Sequence, residues 1–213
     1  MKIGLLGGTG RTGQQLLRLA LDHGHSVQVL ARTPARLTPA AGLTAIKGDV
    51  SNRADVAEVV SGVDVVLSAL GPVRGGSPTV MQDAAAHLVS VMPAAGVLRL
   101  VTLTGAGVEH AGDQPGPVDR VFRGILRLTQ GAVLADATRH VDLIRESPLQ
   151  WTVVRAPMLK GGPAGPVVSG PVGRVGTQVT RASVAAFMLA AAEDGTFIRE
   201  APAVSQAPGS RGR

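Results

Sequence analysis

Met1-Lys2-Ile3-Gly4-Leu5-Leu6-Gly7-Gly8-Thr9-Gly10-Arg11-Thr12-Gly13-Gln14-Gln15 opens the chain with an apolar run that ends in a glycine cluster and passes directly into a helical pattern. That order reads as a strand, a tight turn and a helix start. Gly7, Gly10 and Gly13 fit G-x-x-G-x-x-G, and Gly8, Gly10 and Gly13 fit the literal G-x-G-x-x-G, a spacing that lets backbone come close to a ligand. The first N–H groups of the following helix lack partners within it and sit at the positive end of its dipole, so the junction suits an anion. Leu16, Leu17 and Leu19 to Leu21 carry the helix towards Gly24, and Val27 to Leu30 supply a second strand. A glycine triplet alone, in a chain of 28 glycines, also fits a purely structural turn. The complete βαβ context favours a dinucleotide pyrophosphate held by Gly7, Thr9, Gly10, Arg11 and Thr12.

The chain has 213 residues, 45% of them hydrophobic, enough for one well-filled α/β domain. We expect a single domain over residues 1–206 and a disordered tail over 207–213. No cysteine is present, which excludes disulfides, thiolate metal sites and a cysteine nucleophile. The amino terminus enters a strand at once, without a signal-like segment, and the most apolar later run, Ala182 to Ala192, is too short to span a bilayer. The expectation is a cytoplasmic protein that does not engage a membrane. A net charge of +6 invites a nucleic-acid reading, but the arginines are scattered and aromatics make up only 2%. Few stacking platforms exist, so we expect no nucleic-acid partner and assign the charge to an anionic small ligand and to solubility.

After the second strand comes Ala31-Arg32-Thr33-Pro34-Ala35-Arg36, where an NAD-binding chain usually carries an acid for the ribose hydroxyls. No acid occurs between Asp22 and Asp49. Arg32 and Arg36 can pair with a 2′-phosphate and Thr33 can donate to it, so the segment favours NADP(H). Leu43 to Lys47 reads as strand three. Gly48-Asp49-Val50-Ser51 then turns into a helix with Ser51 as N-cap. Asp49 either accepts from an adenine amino group, with Val50 against the ring, or is a turn aspartate. Val63 to Leu67 is nearly all aliphatic, as a central parallel strand should be. Small residues after it, among them Ala69, Leu70 and Gly71, leave room for the cofactor's ribose and phosphates.

Ser77 to Ala95 has helical spacing, and Val97 to Leu103 forms a strand ending at Thr104. The carboxyl end of that strand faces the reactive end of a cofactor in doubly wound folds, which makes Thr104 the candidate catalytic group near nicotinamide. Glu109, His110 and Asp113 beyond it either supply a proton or form a solvated loop. Val118 to Thr129 reads as an amphipathic helix, with Val121, Phe122, Ile125 and Leu126 on one face and Arg120 and Arg127 largely elsewhere. Its basic side is either solvated or rims an anionic pocket. Ala132 to Ser147 is a second helix whose Asp136 and His140, four apart, read as a structural pair, since no further metal ligands gather there. Leu149 to Arg155 is a strand broken by Pro157, and Gly161 to Gly176 is a loop or short hairpin placed as a flap over substrate. Thr180 caps the helix from Ala182 to Ala192.

These motifs resemble those of the atypical short-chain dehydrogenase/reductase group that includes NmrA-like proteins and flavin/biliverdin reductases. The resemblance runs over nearly the whole chain. Gly7-Gly8-Thr9-Gly10-Arg11-Thr12-Gly13 is similar to the group's glycine loop, Arg32-Thr33-Pro34-Ala35-Arg36-Leu37 to its NADP-selecting segment, and Gly48-Asp49-Val50 to its adenine-side turn. Arg145 to Arg155 resembles its late strand entry, and Thr180-Arg181-Ala182-Ser183-Val184-Ala185 its last helix start. The chain contains no tyrosine, so the Tyr-x-x-x-Lys pair that protonates a carbonyl in ordinary members is absent. Where relatives commonly have Ser-Ser, this chain has Thr104-Gly105.

The resulting expectation is a doubly wound parallel sheet of Rossmann type, order 3-2-1-4-5-6, with a small glycine/proline-rich C-terminal substrate region. The leading functional expectation is NADPH-dependent reduction of a flat conjugated acceptor such as a flavin, quinone or tetrapyrrole, with Pro157 and Met158 completing the cofactor site on the acceptor side. The alternative is a non-catalytic, NmrA-like protein that senses NADP(H) redox state. Either would work as a monomer or homodimer.

Overall fold

The structure is a computed structural model that describes residues 1–73 and 75–208. Its first part alternates strand and helix: β1 (Lys2–Leu6), α1 (Arg11–Asp22), β2 (Ser26–Ala31), β3 (Leu43–Lys47), α2 (Arg53–Val60), β4 (Val65–Ser68), α3 (Val80–Ala94), β5 (Arg99–Gly105), α4 (Pro117–Arg145) and β6 (Gln150–Ala156). Shorter elements follow: β7 (Met158–Lys160), β8 (Val167–Gly170), β9 (Gln178–Thr180), α5 (Arg181–Glu193) and β10 (Ala203–Gln206).

The main sheet runs β3-β2-β1-β4-β5-β6-β10-β8, and its first six strands are parallel in the expected order. Strand order reverses between β1 and β4, so a crevice opens beyond their carboxyl ends. β4 is buried along its whole length, the environment that its aliphatic run requires. One face of the sheet packs on α2, α3 and α4 through Val56, Val59, Leu88, Met92 and Ile144. The other packs on α1 and α5 through Leu16, Leu17, Val184, Met188 and Leu189.

The range given for α4 holds the two helices expected between residues 118 and 147, which meet at a kink at Gln130, whose φ of −138° and ψ of 34° leave the helical region. The side chains of Val118, Phe122, Arg123, Leu126 and Arg127 lie outside the described residues, and with them much of the expected amphipathic face. Val121 and Ile125, expected on its apolar side, are exposed.

The glycine- and proline-rich segment is neither a loop throughout nor a hairpin of its own. β8 pairs antiparallel with the distant β10, from Ala203↔Gly170 to Gln206↔Val167, and β10 meets β6 through Ala203↔Arg155. β7 and β9 form a separate parallel pair. Ala207, expected in the tail, donates its N–H to the Pro166 carbonyl; residues 209–213 lie outside the described residues.

Thr180 caps α5 by accepting from the Ser183 N–H. For α2 the expected cap is corrected. Asn52 accepts from the Ala54 N–H at 2.9 Å, because Ser51 is already committed to Asp49, donating to Oδ1 from both its N–H and its hydroxyl at 2.9 Å. An aspartate that bonds two residues ahead competes with the helix for such a neighbour. Among the described residues no helix is long and apolar enough to cross a membrane.

Candidate cofactor and acceptor site

The glycines of the opening turn have different physical duties. Gly7 sits at a φ of +77°, and a Cβ there would lie 2.8 Å from the Ala69 carbonyl and 2.9 Å from the Leu70 nitrogen. A Cβ on Gly13 would overlap the Gly7 carbonyl. Both are therefore demanded by the close packing of turn, α1 and the end of β4. Gly10 is different: it is exposed, and a Cβ would meet only the Gly7 oxygen, at 3.2 Å. It is the N-cap of α1, provides no side-chain cap, and no acid stands in the first turn. The helix start is left as bare backbone with positive potential, the property an anion needs. Arg11 lies exposed beside it and Thr12 is buried.

From this turn a cleft extends past Arg32 and Arg36 to Asp49 and Val50, with Ala69, Leu70 and Gly71 on its other side. Thr33 is exposed but does not line it. Arg32 is 63% exposed, with Nε 4.0 Å from Asp49 Oδ2. Asp49 is held below the usual carboxylate range, first by the Ser51 N–H, against the effect of burial, and further by the Ser51 hydroxyl and by Arg32. Its Oδ1 is occupied as a turn aspartate's would be, while Oδ2 stays on the cleft side with Arg32. Ser77 and Asp83 also line the cleft. They were not picked out as site residues, although Ser77-Pro78-Thr79 before an apolar run is a helix-start signal.

Leu70 and Gly71 also border a second, adjacent pocket, lined by Leu103, Thr104 and Gly105 of β5 together with Ala156, Pro157 and Leu159. Met81, Gln130, Val133, Leu134 and Ala137 face them. Among the described residues no ionisable side chain lines this pocket, and the polar side chains there are Thr104 and Gln130. The Thr104 hydroxyl is buried and has no hydrogen-bond partner among the described residues. Met158 does not line the pocket and is 49% exposed. Along an extended segment alternate residues face opposite ways, so Pro157 and Leu159 turn inward and Met158 outward.

The acids and histidines noted in the sequence serve the fold. Asp113 is not a proton donor in a solvated loop; its side chain is 7% exposed and pairs with Arg155, itself 1% exposed. Burial alone would raise its carboxyl, but hydrogen bonds from Arg155 and from the Val172 and His110 N–H groups hold it below the ordinary value. Arg145 Nη2 donates to His110 Nδ1. Burial first, then the charges of Arg145 and Arg155, push the His110 imidazole down towards its neutral form. Asp136 accepts from the Met81 and Gln82 N–H groups, capping α3 from α4. His140 lies between Thr102 Oγ1 and the Met81 carbonyl. Both are structural, although their partners are on α3 and β5.

A fold with this crevice and a bare helix start beside its first strand defines a dinucleotide-binding class. The NAD(P)H-binding family model matches residues 7–195, and the chain belongs to that family. It is 32% identical over 151 residues to a 3-beta-hydroxysteroid dehydrogenase of Mycolicibacterium neoaurum, covering 66% of this chain and 38% of that protein. It is 33% identical over 93 residues to the isoflavone reductase homolog IRL of Zea mays, covering 39% of this chain and 30% of the relative. The matched region thus spans well under half the length of these curated relatives. Among solved structures, it is similar in fold to ChuY, an anaerobillin reductase from Escherichia coli O157:H7, with a TM-score of 0.82, 19% identity and 100% of both chains covered. A short-chain dehydrogenase/reductase from Veillonella parvula DSM 2008, solved with NADP, gives a TM-score of 0.80 at 21% identity over 99% of this chain and 96% of the other.

Proposed function

We propose that the protein is an NADPH-dependent reductase of a flat, conjugated acceptor. The observation that carries this reading is the adjacency of the two pockets: the dinucleotide cleft and a mainly apolar slot share Leu70 and Gly71 in their walls, and no ionisable side chain is among the described residues that line the slot. Gly7, Thr9 and Gly10 with the start of α1 would hold the pyrophosphate, Arg32 and Arg36 the 2′-phosphate, and Asp49 and Val50 the adenine side. Bound NADPH supplies a hydride. The chain's own contribution is to position two flat rings against each other and to keep water from the slot walls. A flavin, quinone or tetrapyrrole takes up hydride with solvent supplying the proton, so a slot with no carboxylate, imidazole or phenol suits such acceptors. It does not suit a simple carbonyl, which needs a placed acid. Thr104 would be the polar contact at the slot floor. The tetrapyrrole class gains support from the fold shared with an anaerobillin reductase.

The test follows NADPH absorbance with flavins, quinones and linear tetrapyrroles. Turnover of one class is expected. No turnover with any of them, together with tight binding that differs between NADP and NADPH, would instead favour the redox-sensing alternative.

A further inference from the structure

On the side of the molecule formed by α1 and α5, His23, His25 and Glu193 converge from positions 168 to 170 residues apart in the chain. His23 Nδ1 lies 2.9 Å and His25 Nε2 2.7 Å from the same Glu193 oxygen, Oε1. All three ligand atoms fall within 4.8 Å of one another. We propose that these three side chains form a binding site for a zinc-class divalent ion.

The backbone fixes both imidazoles before any ion arrives. His23 is the C-cap of α1 and Gly24 follows at a φ of +78°. The Gly24 N–H bonds to the Leu21 carbonyl and the His25 N–H to the Ala20 carbonyl, the paired bonds of a Schellman motif. His-Gly-His is thus held in one conformation, with both rings turned to one side. α5 packs beside α1 through Leu16, Leu17, Met188 and Leu189, which brings its last residue, Glu193, to the same end.

The electrostatics call for a cation. The carboxyl ends of two helices meet here, each carrying partial negative charge, and neither helix has a basic residue in its last turn. A glutamate at such an end adds to the unfavourable charge rather than relieving it.

Two imidazoles and one carboxylate suit zinc and its neighbours, and three protein ligands leave a further position for water. His23, at 46% side-chain exposure, keeps that position open to solvent. For metal–donor lengths near 2.1 Å in a tetrahedron, ligand atoms stand roughly 3.4 Å apart, so the hydrogen-bonded pairs need to open by only about 0.5–0.7 Å. The Met1 amine lies 3.3 Å from His25 Nδ1, the nitrogen on the ring's far side, and does not compete for Nε2. The ion would clasp the turn between α1 and β2 to the end of α5, at the end of α1 opposite the glycine turn.

The full chain, purified without a polyhistidine tag and stripped of metal, is titrated with Zn²⁺ by calorimetry at about pH 7.5, where free imidazole is neutral. Co²⁺ serves as a spectroscopic substitute. Saturable binding of one ion per chain is expected, with the visible absorption of four-coordinate Co²⁺. His23→Gln, His25→Ala and Glu193→Gln should each weaken Zn²⁺ at least tenfold, whereas His87→Ala, which removes a histidine elsewhere, should leave it unchanged. No saturable binding in the wild type, or binding that survives either His23→Gln or Glu193→Gln, overturns the proposal.

Discussion

Arg155, near the carboxyl end of β6, and Asp113, in the loop after β5, form a buried two-pronged ion pair: Nη1 lies 2.6 Å from Oδ2 and Nη2 2.8 Å from Oδ1. Arg155 also donates to the Ala201 and Val108 carbonyls, and Asp113 accepts from the Val172 and His110 N–H groups. One pair therefore ties together the loop that carries Gly107 and Val108 of the apolar slot, the turn after β8 and the segment leading into β10.

Neutralising one member leaves the other as an unpaired buried charge, which costs about 3–5 kcal/mol. Asp113→Asn keeps the shape and removes the charge, so its unfolding free energy should fall by that much, read as a lower denaturant midpoint with an unchanged slope. A loss below about 1 kcal/mol would show that the pair adds little beyond packing. Since the Asp113 carboxyl is depressed in the folded state, its contribution is fully present above the unfolded value of about 3.9 and is lost as pH falls through the lower folded value.

His140 titrates in a different window. It is 1% exposed, and burial pushes its imidazole below the ordinary value, opposed by the Met81 carbonyl and Asp136. Neutral His140 donates from Nδ1 to Met81 and accepts at Nε2 from Thr102. The unfolded chain takes up this proton near pH 6.5 and the folded chain resists it, so stability is present above about 6.5 and declines below it. His140→Asn should flatten the rise of unfolding free energy with pH between about 5 and 6.5 relative to wild type. An identical slope in both proteins would refute a neutral, buried His140.

The six-strand order was legible in the sequence because each parallel strand is an apolar run bounded by glycine or a cap, and the crossover rule leaves few arrangements. That Arg32 and Arg36 would stand on the cleft was legible because they directly follow the apolar run of β2. What escaped depends on partners remote in the chain. Arg155 sits inside an apolar strand, and nothing near it reveals that Asp113 neutralises it; Asp113 itself read as part of a polar loop. The strands β7 to β10 have only three or four residues each, too few to show a period. His23-Gly24-His25 drew no notice because its third partner stands 168 residues beyond His25.

Gly10 and Gly13 should separate fold from binding. Gly13→Ala drives a methyl into the Gly7 carbonyl and should lower both stability and cofactor affinity. Gly10 has a φ of −78° and a ψ of 164°, which alanine adopts freely, so Gly10→Ala should change stability by no more than about 1 kcal/mol. Because the methyl occupies the bare helix start, NADPH binding should still weaken at least tenfold. Unchanged affinity in Gly10→Ala would remove the pyrophosphate from that position.

Arg32 should distinguish the two nicotinamide cofactors. A charge-assisted contact contributes about 1.5–3 kcal/mol, so Arg32→Ala should weaken NADPH roughly ten- to a hundredfold and leave NADH little changed. Calorimetric titration of both cofactors decides the matter, and equal losses for the two would refute a 2′-phosphate role. Asp49 supplies a second arm. Its Oδ2 stands 4.0 Å from Arg32 and competes with a phosphate for the guanidinium, so Asp49→Asn should widen the difference between the cofactors, the opposite of the effect of Arg32→Ala.

Thr104 should show opposite effects on stability and on function. Its hydroxyl is buried with no partner among the described residues, a situation that costs about 1–3 kcal/mol relative to a satisfied or absent group. Valine preserves the branched shape and deletes the polar atom, so Thr104→Val should raise the unfolding free energy of the cofactor-free protein. If the hydroxyl is kept for a ligand at the slot floor, the same substitution should slow NADPH oxidation by the acceptor that the wild type turns over, while NADPH affinity, set in the other cleft, moves little. Denaturant unfolding, calorimetry and the absorbance assay on one pair of proteins measure all three quantities. A less stable Thr104→Val with unchanged turnover would mean that the hydroxyl satisfies the fold and has no part in the chemistry.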